Sequence, residues 1–408
     1  LGNMEAVQFH PTGIFPSGIL VTEGCRGDGG LLLDGSGHRF MPDYEPEKRE
    51  LASRDVVSRR MEQHIAAGSG ASSRFGEHLW LDIRLLGKQH INSKLREVKE
   101  ICHYFLGIDP AEELIPVRPA QHYSMGGIRT DELGQSPTLG GLFAVGEAAC
   151  WDMHGFNRLG GNSVAETVVA GMIVGESIAD YCESPQGQLT LSTSLAADFL
   201  QREAGKLSTI ANSGGSERAV ELTRLMQEIM TDKVGIFRSG ERLEDAVSSL
   251  LALQSRARNI GLSSSRAGPN PELVAAYRLP RMLKLALCVA SGALRRTESR
   301  GAHYRDDFPQ RDDCNWLKRT LTSWPDAEQE KPRVDYEPLD IMTMELPPGW
   351  RGYGARDFIA HPDGARRQAE IDAMQQGVDQ QPGSVMPFEH LLPDAFRSAN
   401  QRLGEEHG

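Results

Sequence analysis

Apolar positions recur with helical spacing in the first third of the chain. Residues Lys88 to Phe105 predict an amphipathic helix, because one side of it would be apolar while the other carries charges. The apolar stripe consists of Ile91, Leu95, Val98, Cys102 and Phe105. A second helix is predicted from Glu50 to Ala67, and short apolar runs outside the helices predict short strands. Residues 1 to about 130 are therefore expected to mix α and β structure.

A more apolar, glycine-rich unit follows, from about residue 122 to 183. Residues Leu142 to Val145 predict a short buried strand, which leads through a glycine-rich loop into a long helix from Ser163 to about Tyr181. Ser163 and Glu166 have the S-x-x-E spacing of a capping box, so the helix is expected to begin at Ser163. The free N–H groups at that end would suit a carboxylate or an electron-rich ring edge. The alternative is an ordinary strand-loop-helix in which the glycines serve close packing.

From about residue 190 the pattern changes to helices with polar faces. Three of them are expected to form a bundle, and they run from Ser216 to Thr231, from Gly240 to Arg258 and from Pro271 to Arg296. The expected core positions of the first helix are Leu222, Leu225, Met226 and Ile229. Prolines from residue 325 onward predict a linker, and apolar alternation then predicts one or two edge strands. The alternating positions are Val334, Tyr336, Leu339, Ile341 and Met344.

Length and composition limit the possible classes of protein. A chain of 408 residues with 39% hydrophobic residues and a mean hydropathy of -0.40 is expected to form two or three compact units. No run approaches the roughly 18 uninterrupted apolar residues that would span a bilayer, so membrane association is expected only through a partner. The formal net charge of -12 argues against a nucleic-acid partner, which would normally require a basic face.

The six cysteines are scattered and form no CxxC pair, which argues against a disulfide scaffold, an iron-sulfur protein and a zinc protein. Cys25 lies between Glu23 and Arg26 in a polar loop, where a thiol could be reactive. The chain opens at Leu1 directly into apparent structure, so we expect the sequence to be a fragment. The absence of a signal peptide is then no evidence about the compartment.

Four short blocks concentrate polar residues among glycines. They are FHPTG (9 to 13) with VTEGCRGDGG (21 to 30), LASRD (51 to 55), QHYSMGG (121 to 127) and HGFNRLGGNS (154 to 163). Taken singly, His10 and His122 could be packed histidines, and Arg54 would usually be a surface charge, although it is poorly placed against the helix dipole. Arg158 is harder to dismiss, because flanking glycines permit close approach to a ligand. The histidines lack the spacing of a zinc site, so no metal is expected.

Together, in this order and at these separations, the blocks resemble the flavoprotein subunit of the succinate dehydrogenase and fumarate reductase family. The resemblance runs from about residue 4 through RGAHYRDDFPQRDD (300 to 313) into YEPLDIMTMELPPGWRGYG (336 to 354). The segment GEAACWDMHGFNRLGGNS, with the late RGYG, is more similar to menaquinol-linked fumarate reductases than to mitochondrial succinate dehydrogenases.

The resemblance implies an α/β and α+β multidomain fold. It comprises the C-terminal part of a flavin-binding α/β domain with an inserted α+β capping domain, then a helical bundle and a small C-terminal domain. Residues 1–8 would end the first part of the FAD-binding domain, and 9–121 would form the capping (substrate) domain. The second part of the FAD-binding domain would cover 122–188, the helical domain 189–324, and the C-terminal domain and tail 325–408.

The resemblance also implies a site that interconverts fumarate and succinate by hydride transfer with FAD. One carboxylate of the substrate would be clamped by His122 and Arg158, because charge-assisted bonds from arginine fix geometry as well as affinity. The other carboxylate would be held and twisted by His10 with Thr22. No metal takes part in this scheme.

The resemblance assigns proton delivery to Arg54, with relay from solvent through Glu23 and Arg26. An arginine that acts as a general acid is unexpected, because the solution pKa of its side chain lies above 12. The role becomes feasible if the developing carbanion is itself very basic and Glu23 reprotonates the guanidine at once.

The flavin contacts carry over less completely. Glu147 resembles the family's ribose-hydroxyl acceptor, and the cofactor-binding residues Asn162, Ser163 and Val164 would lie at the helix start, near the ring edge that becomes negative on reduction. No GxGxxG follows a strand, and the family's pyrophosphate loop and flavin-linking histidine belong to an N-terminal part that this sequence does not contain. The chain is therefore expected to hold half of an FAD site and to bind FAD weakly or not at all.

The implied partners are an iron-sulfur subunit and, through it, a membrane anchor cytochrome b subunit. The implied location is peripheral, on the cytoplasmic side of the inner (plasma) membrane. The physiological direction stays open, because both directions use the same flavin site. Two alternatives also stay open. An L-aspartate oxidase shares the HPT, RD and NRL-type blocks, although the RGDGG motif and the long C-terminal segment argue against this alternative. The other alternative is a truncated, non-catalytic fragment.

Overall fold

The computed structural model describes residues 1–188, 192–264, 268–326 and 329–339, with Ala369 alone beyond them. The strands are β1 (Val7–Ile14), β2 (Ile19–Leu20), β3 (Leu31–Leu33), β4 (Ala71–Ser73), β5 (Gly76–Asp82), β6 (Ile115–Ser124), β7 (Ile128–Arg129), β8 (Ala149–Cys150), β9 (Lys318–Ser323) and β10 (Arg333–Pro338). The helices are α1 (Gly24–Gly27), α2 (Met41–Tyr44), α3 (Arg54–His64), α4 (Gly87–Lys94), α5 (Arg96–Leu106), α6 (Asn162–Glu183), α7 (Thr193–Ala211), α8 (Ala219–Lys233), α9 (Gly240–Arg256), α10 (Pro271–Arg295) and α11 (Asp313–Trp316).

An antiparallel sheet organises the first part of the chain. Its strand order is β2-β1-β6-β5-β3, and β4 pairs with β5 outside this row. Leu79 and Leu81 of β5 and Ile115 and Val117 of β6 are fully buried, which is the period of two expected for a sheet with one covered face. Helix α3 packs against β1. The sheet and this helix therefore share one core.

The ladder between β1 and β6 is interrupted by a bulge. Gln8 pairs with Tyr123 and the next residue, Phe9, pairs with Gln121. His122 is therefore an extra residue that has no paired residue on β1. A bulged residue bends its strand and changes the direction of nearby side chains. The bulge thus lies at one of the histidines singled out in the sequence.

The predicted helical bundle is present. Helices α8, α9 and α10 pack together, and α7 packs along α10. Leu222 and Met226 are buried, and Leu225 and Ile229 are partly buried against the same cluster, so the predicted core positions are confirmed. Helix α7 was not singled out by the sequence. None of its residues is buried, although Leu195, Phe199, Leu207 and Ile210 have the spacing of one apolar side.

Two predicted helices differ from the structure in their limits. Helix α3 begins at Arg54 rather than Glu50, because Ser53 before it is extended, with ψ 151°. The predicted helix from Lys88 to Phe105 is two helices, broken at Leu95, whose φ of -120° and ψ of 31° are not helical. Phe105 is 62% exposed, although the other four residues of its stripe are buried.

The strand predicted from Leu142 to Val145 is not formed. Phe143 makes only an isolated bridge to Gln135, and the Ala144 N–H donates to the Gly134 carbonyl beside it. The parallel pair in this region is β7 with β8, which begins four residues later, at Ala149.

The chain divides into two compact units. The larger comprises Leu1–Gln310 and Thr320–Asp335, and the smaller comprises Arg311–Arg319 and Tyr336–Gly408. The predicted edge strand is present as β10, whereas Ile341 and Met344 lie outside the described residues. Among the described helices, none combines the length and the apolar character needed to cross a membrane.

Candidate active site

Two histidines stand on neighbouring strands of the sheet. His10 on β1 is buried, and His122 on β6 is partly buried. Their rings meet edge to face, with centroids 5.0 Å apart. His122 is the bulged residue, and a second register shift follows His10 immediately. Since bulges re-aim side chains, these two irregularities position the two imidazoles of the site.

His10 presents an unused N–H donor. The Thr12 backbone N–H donates to its Nδ1 over 3.2 Å, so the neutral ring carries its proton on Nε2. That Nε2 is buried and has no hydrogen-bond partner among the described residues. Burial, followed by the charges of Arg54 and Arg26, lowers the pKa of His10 to about 2, so the ring is neutral at physiological pH. A ligand oxygen could accept this N–H.

Arg158 is a buried cation without a carboxylate partner in the described ranges. Only 5% of the residue is exposed, and no ion pair joins it to any described residue. Its Nη2 donates to Nε2 of His122 over 2.7 Å, and its Nη1 donates to the Leu159 carbonyl over 3.2 Å. Its Nε has no partner within the part of the chain that the structure describes. Burial and then Arg54 lower the pKa of Arg158. A buried guanidinium in this state fits an anionic ligand.

Three charged residues form a line beside these groups. Arg54 opens α3, and its Nη2 lies 2.7 Å from Oε2 of Glu23. The other oxygen of Glu23, Oε1, lies 3.7 Å from Nη2 of Arg26. The Glu23 side chain is 36% exposed, against 10% for Arg54 and none for Arg26, so Glu23 is the member open to solvent. A Cβ at Gly160 would lie 3.0 Å from Glu23 Oε2, so the glycine lets the loop of Arg158 approach this line.

The remaining residues of the segment VTEGCRGDGG (21 to 30) lie around this line. Thr22 is exposed, and its hydroxyl accepts the Gly24 N–H. Arg26 donates to the Glu50 carbonyl, and two of its buried nitrogen atoms have no hydrogen-bond partner among the described residues. The expectation of a reactive thiol at Cys25 is wrong. Burial of Cys25 raises its pKa to about 12, which disfavours the nucleophilic thiolate.

Three further residues tie the site together and were missed in the sequence. Gln8 is fully buried, and its Nε2 donates to Asn157 Oδ1 and to the Arg158 carbonyl, both at 2.7 Å. Its Oε1 accepts a longer bond of 3.5 Å from Arg54 Nη1. Asn157 in turn donates to Asp55 over 2.8 Å. One signal was available for Gln8, since it stands two residues before His10 and so on the same face of β1.

The start of α6 differs from the predicted capping box. The helix begins at Asn162 after Gly161, whose φ is 79°, and no side chain caps it. Glu166 is buried and accepts hydrogen bonds from Tyr123, Trp151 and His154 instead of folding back onto the helix end. The first-turn N–H groups are therefore left without a side-chain cap.

The residues around this helix start fit a flavin ring. Val164 is 72% exposed, and with the uncapped N–H groups it offers an apolar surface beside hydrogen-bond donors. Ser163 is partly buried next to it, whereas Asn162 is exposed. Glu147 is also exposed, and one of its oxygens accepts the Ser124 N–H over 2.9 Å, which fixes the direction of the carboxylate.

Comparison with known families defines the class of protein. Residues 1–164 match the family described as FAD binding domain, and residues 223–353 match the family described as fumarate reductase flavoprotein C-term. The chain is therefore built from an FAD-binding domain followed by the C-terminal region typical of fumarate reductase flavoproteins.

Individual relatives agree with this class. The chain is 49% identical to the fumarate reductase flavoprotein subunit of Helicobacter pylori, over 100% of this chain and 61% of the relative. It is 38% identical to the Escherichia coli fumarate reductase flavoprotein subunit, over 87% of this chain and 60% of the relative. A solved structure of a variant E. coli quinol fumarate reductase superposes with a TM-score of 0.80 at 36% identity, covering 87% of this chain and 62% of that one.

The chain belongs to the family of fumarate reductase and succinate dehydrogenase flavoprotein subunits. The predicted resemblance and the predicted multidomain fold class are thus confirmed. The chain spans about three fifths of the length of the curated relatives that it matches.

Proposed function

We propose that this chain carries the dicarboxylate site and part of the FAD site of a flavoprotein subunit that interconverts fumarate and succinate. Arg158 is the observation that supports this most strongly. It is a buried guanidinium that lacks a carboxylate partner among the described residues and bonds to a histidine. A small dianion would supply the missing negative charge.

In this proposal the two ends of the substrate meet different donors. Arg158 and His122 bind one carboxylate, because the arginine offers an Nε without a hydrogen-bond partner and a charge without an ion pair among the described residues. His10 binds the other together with the hydroxyl of Thr22, and it does so through an Nε2–H that has no partner among the described residues. Holding both ends fixes the central double bond and places donors where negative charge grows in the transition state.

The line of Arg54, Glu23 and Arg26 would deliver the proton. Arg54 presents the proton from its guanidinium, and Glu23 is hydrogen-bonded to it and open to solvent, so it can restore the proton at once. Arg26 directs the Glu23 side chain, because its Nη2 lies 3.7 Å from Glu23 Oε1. Bound FAD would supply or accept the hydride.

Glu147, Asn162, Ser163 and Val164 would hold the flavin. We also propose the domain limits given above: 1–8 and 122–188 for the FAD-binding domain, 9–121 for the capping domain, 189–324 for the helical domain and 325–408 for the C-terminal domain.

Two of the matched structures are quinol fumarate reductases, one of them with menaquinol molecules. By analogy we propose an iron-sulfur subunit and, through it, a cytochrome b membrane anchor as partners. The complex would then lie on the cytoplasmic side of the inner membrane.

Turnover by the protein expressed from its complete gene tests the proposal. We expect bound FAD, reduction of fumarate by a reduced viologen, and no oxidation of L-aspartate. Oxidation of L-aspartate without fumarate turnover would favour the oxidase alternative. A flavin-loaded protein that neither turns over fumarate nor binds succinate would favour the non-catalytic alternative.

A further inference from the structure

The ring of Tyr123 packs against the guanidinium of Arg158. It follows His122 on β6, and only 3% of it is exposed. The guanidinium carbon of Arg158 lies 4.4 Å from the centroid of its ring. The ring therefore presents a face to the one cation of the site that has no ion-pair partner among the described residues.

The hydroxyl of Tyr123 is anchored by a buried carboxylate. It donates to Oε2 of Glu166 over 3.3 Å. Glu166 also accepts the Trp151 indole N–H over 3.0 Å, and its Oε2 lies 3.2 Å from Nε2 of His154. Burial and then Glu166 raise the pKa of Tyr123 to about 12, so the phenol keeps the proton that it donates. Trp151 and His154 thus fix the Glu166 carboxylate, and the carboxylate fixes the Tyr123 ring.

An aromatic face and a carboxylate act differently on a neighbouring arginine. A carboxylate in contact with Arg158 would neutralise it and compete with an incoming substrate carboxylate. The face of a phenol attracts a guanidinium through its quadrupole and leaves the net charge in place. Glu166 lies one side chain further away and acts through the ring.

We infer that Tyr123, anchored by Glu166, is a positioning residue that holds Arg158 in a charged and unpaired state for a substrate carboxylate. The inference rests on the proposed function and adds to it the residues that keep the clamp open. It assigns Glu166 to the substrate side of the site instead of the helix end where the sequence pattern had placed it.

A second tyrosine of the same chain provides the matched comparison. On α10, Arg281 lies 4.1 Å from the ring centroid of Tyr277, whose hydroxyl donates to Glu203. There the arginine also reaches Glu203 directly, with Nη2 3.2 Å from Oε2. The same three residue types therefore form a neutralised surface cluster, in contrast to the cluster around Arg158.

Steady-state kinetics of the flavin-loaded enzyme tests the inference. Tyr123→Leu removes the ring and should raise KM for fumarate roughly five- to thirtyfold, the range expected for loss of a desolvated cation–π contact. A dicarboxylate inhibitor such as malonate should lose affinity in parallel, while kcat falls much less. Tyr123→Phe keeps the ring face and should restore KM to within about threefold of wild type. Tyr277→Leu is the control and should leave KM unchanged.

The variants also separate positioning from a purely structural effect. Glu166→Gln retains the ring and weakens its anchor, so it should raise KM by a smaller factor than Tyr123→Leu, and it serves if the leucine variant does not fold. A wild-type KM in both Tyr123→Leu and Glu166→Gln would overturn the inference. So would equal impairment of the leucine and phenylalanine variants. Absence of turnover in the wild type would instead contradict the proposed function.

Discussion

Two groups of buried arginines differ in how their nitrogen atoms are satisfied. Arg238, Arg296 and Arg305 are at most 2% exposed, and none of their buried nitrogen atoms lacks a partner among the described residues. Arg296, for example, pairs with Glu5 at 2.9 Å and with Glu298 at 2.8 Å. This group joins the beginning of the chain to the end of the bundle.

The second group, Arg26 and Arg158, is equally buried and incompletely bonded. Both have buried nitrogen atoms without a hydrogen-bond partner among the described residues, and Arg158 has no ion pair there. Burying a charge is costly unless it is paired. The first group has its hydrogen-bonding capacity filled by the protein, whereas the second group keeps donors that a ligand can use. Arginine burial alone would not distinguish the two.

The largest expected effect is on catalysis. Arg54→Lys keeps a positive charge but loses the planar fork that meets Glu23 and Gln8, so turnover of fumarate should fall by roughly three orders of magnitude or more, as for loss of a residue that acts in the transition state. Binding of succinate should change little.

Arg60→Lys provides the matched control for Arg54→Lys. Arg60 lies on the same helix and pairs with Glu45 at 2.9 Å, outside the site. Near-normal turnover in Arg54→Lys, or an equal loss in both variants, would contradict the assigned role.

A smaller effect, on stability alone, is expected in the satisfied group. Arg296→Met leaves Glu5 buried without the arginine that pairs with it, while Glu298 keeps its pair with Arg300. The free energy of unfolding should therefore fall by about 3–5 kcal/mol. Denaturant unfolding measures this. The control Arg281→Met removes a half-exposed arginine from α10, whose surface pair with Glu203 is expected to contribute only about 0–1 kcal/mol. Equal losses in the two variants would remove the distinction between buried and surface pairs.

The smallest effect is expected from pH, and it acts on both groups through buried histidines. His303 accepts a bond from Arg238 over 2.7 Å, and burial, then Arg238 and Arg296, hold its pKa well below 6.5. The pKa of His10 is lowered in the same way, by burial and then by Arg54 and Arg26. The unfolded histidines take up protons below about pH 6.5, while the folded ones do not. As the pH falls below this value, the unfolding free energy should therefore decrease by up to about 1.4 kcal/mol per pH unit for each histidine.

Urea unfolding at several values between pH 7.5 and 5 tests this. His303→Asn retains a side-chain acceptor for Arg238 and cannot titrate, so its stability should fall less steeply over this range. An unchanged slope would show that His303 does not contribute.

Sequence patterns predicted the parts of the molecule that local rules control. The core of α8 followed from apolar spacing, because a helix must bury its apolar stripe. The helix predicted around Phe105 broke the same rule, because it is two helices separated at Leu95, and Phe105 in the final turn of α5 is exposed. Periodicity does not reveal such a break.

The site was predictable only in part. Polar blocks among glycines indicated His10, Arg54 and Arg158, but not how they are held. The bonds of Gln8 reach across about 150 residues of sequence, and a glutamine carries no charge that would mark it. Glu166 had correct capping-box spacing, yet three other side-chain donors compete successfully for its carboxylate. Long-range partners of this kind cannot be read from spacing.

The most direct test of the central claim is the affinity for a small dicarboxylate, measured by calorimetric titration of the complete, flavin-loaded protein with succinate. Arg158→Gln should weaken binding by roughly thirtyfold or more, the effect of truncating one partner of a buried charge pair. Its unfolding free energy should not decrease, because the variant removes a buried charge that has no ion pair among the described residues. Equal affinity in the two proteins, or a large loss of stability in the variant, would show that Arg158 is a structural arginine like Arg296.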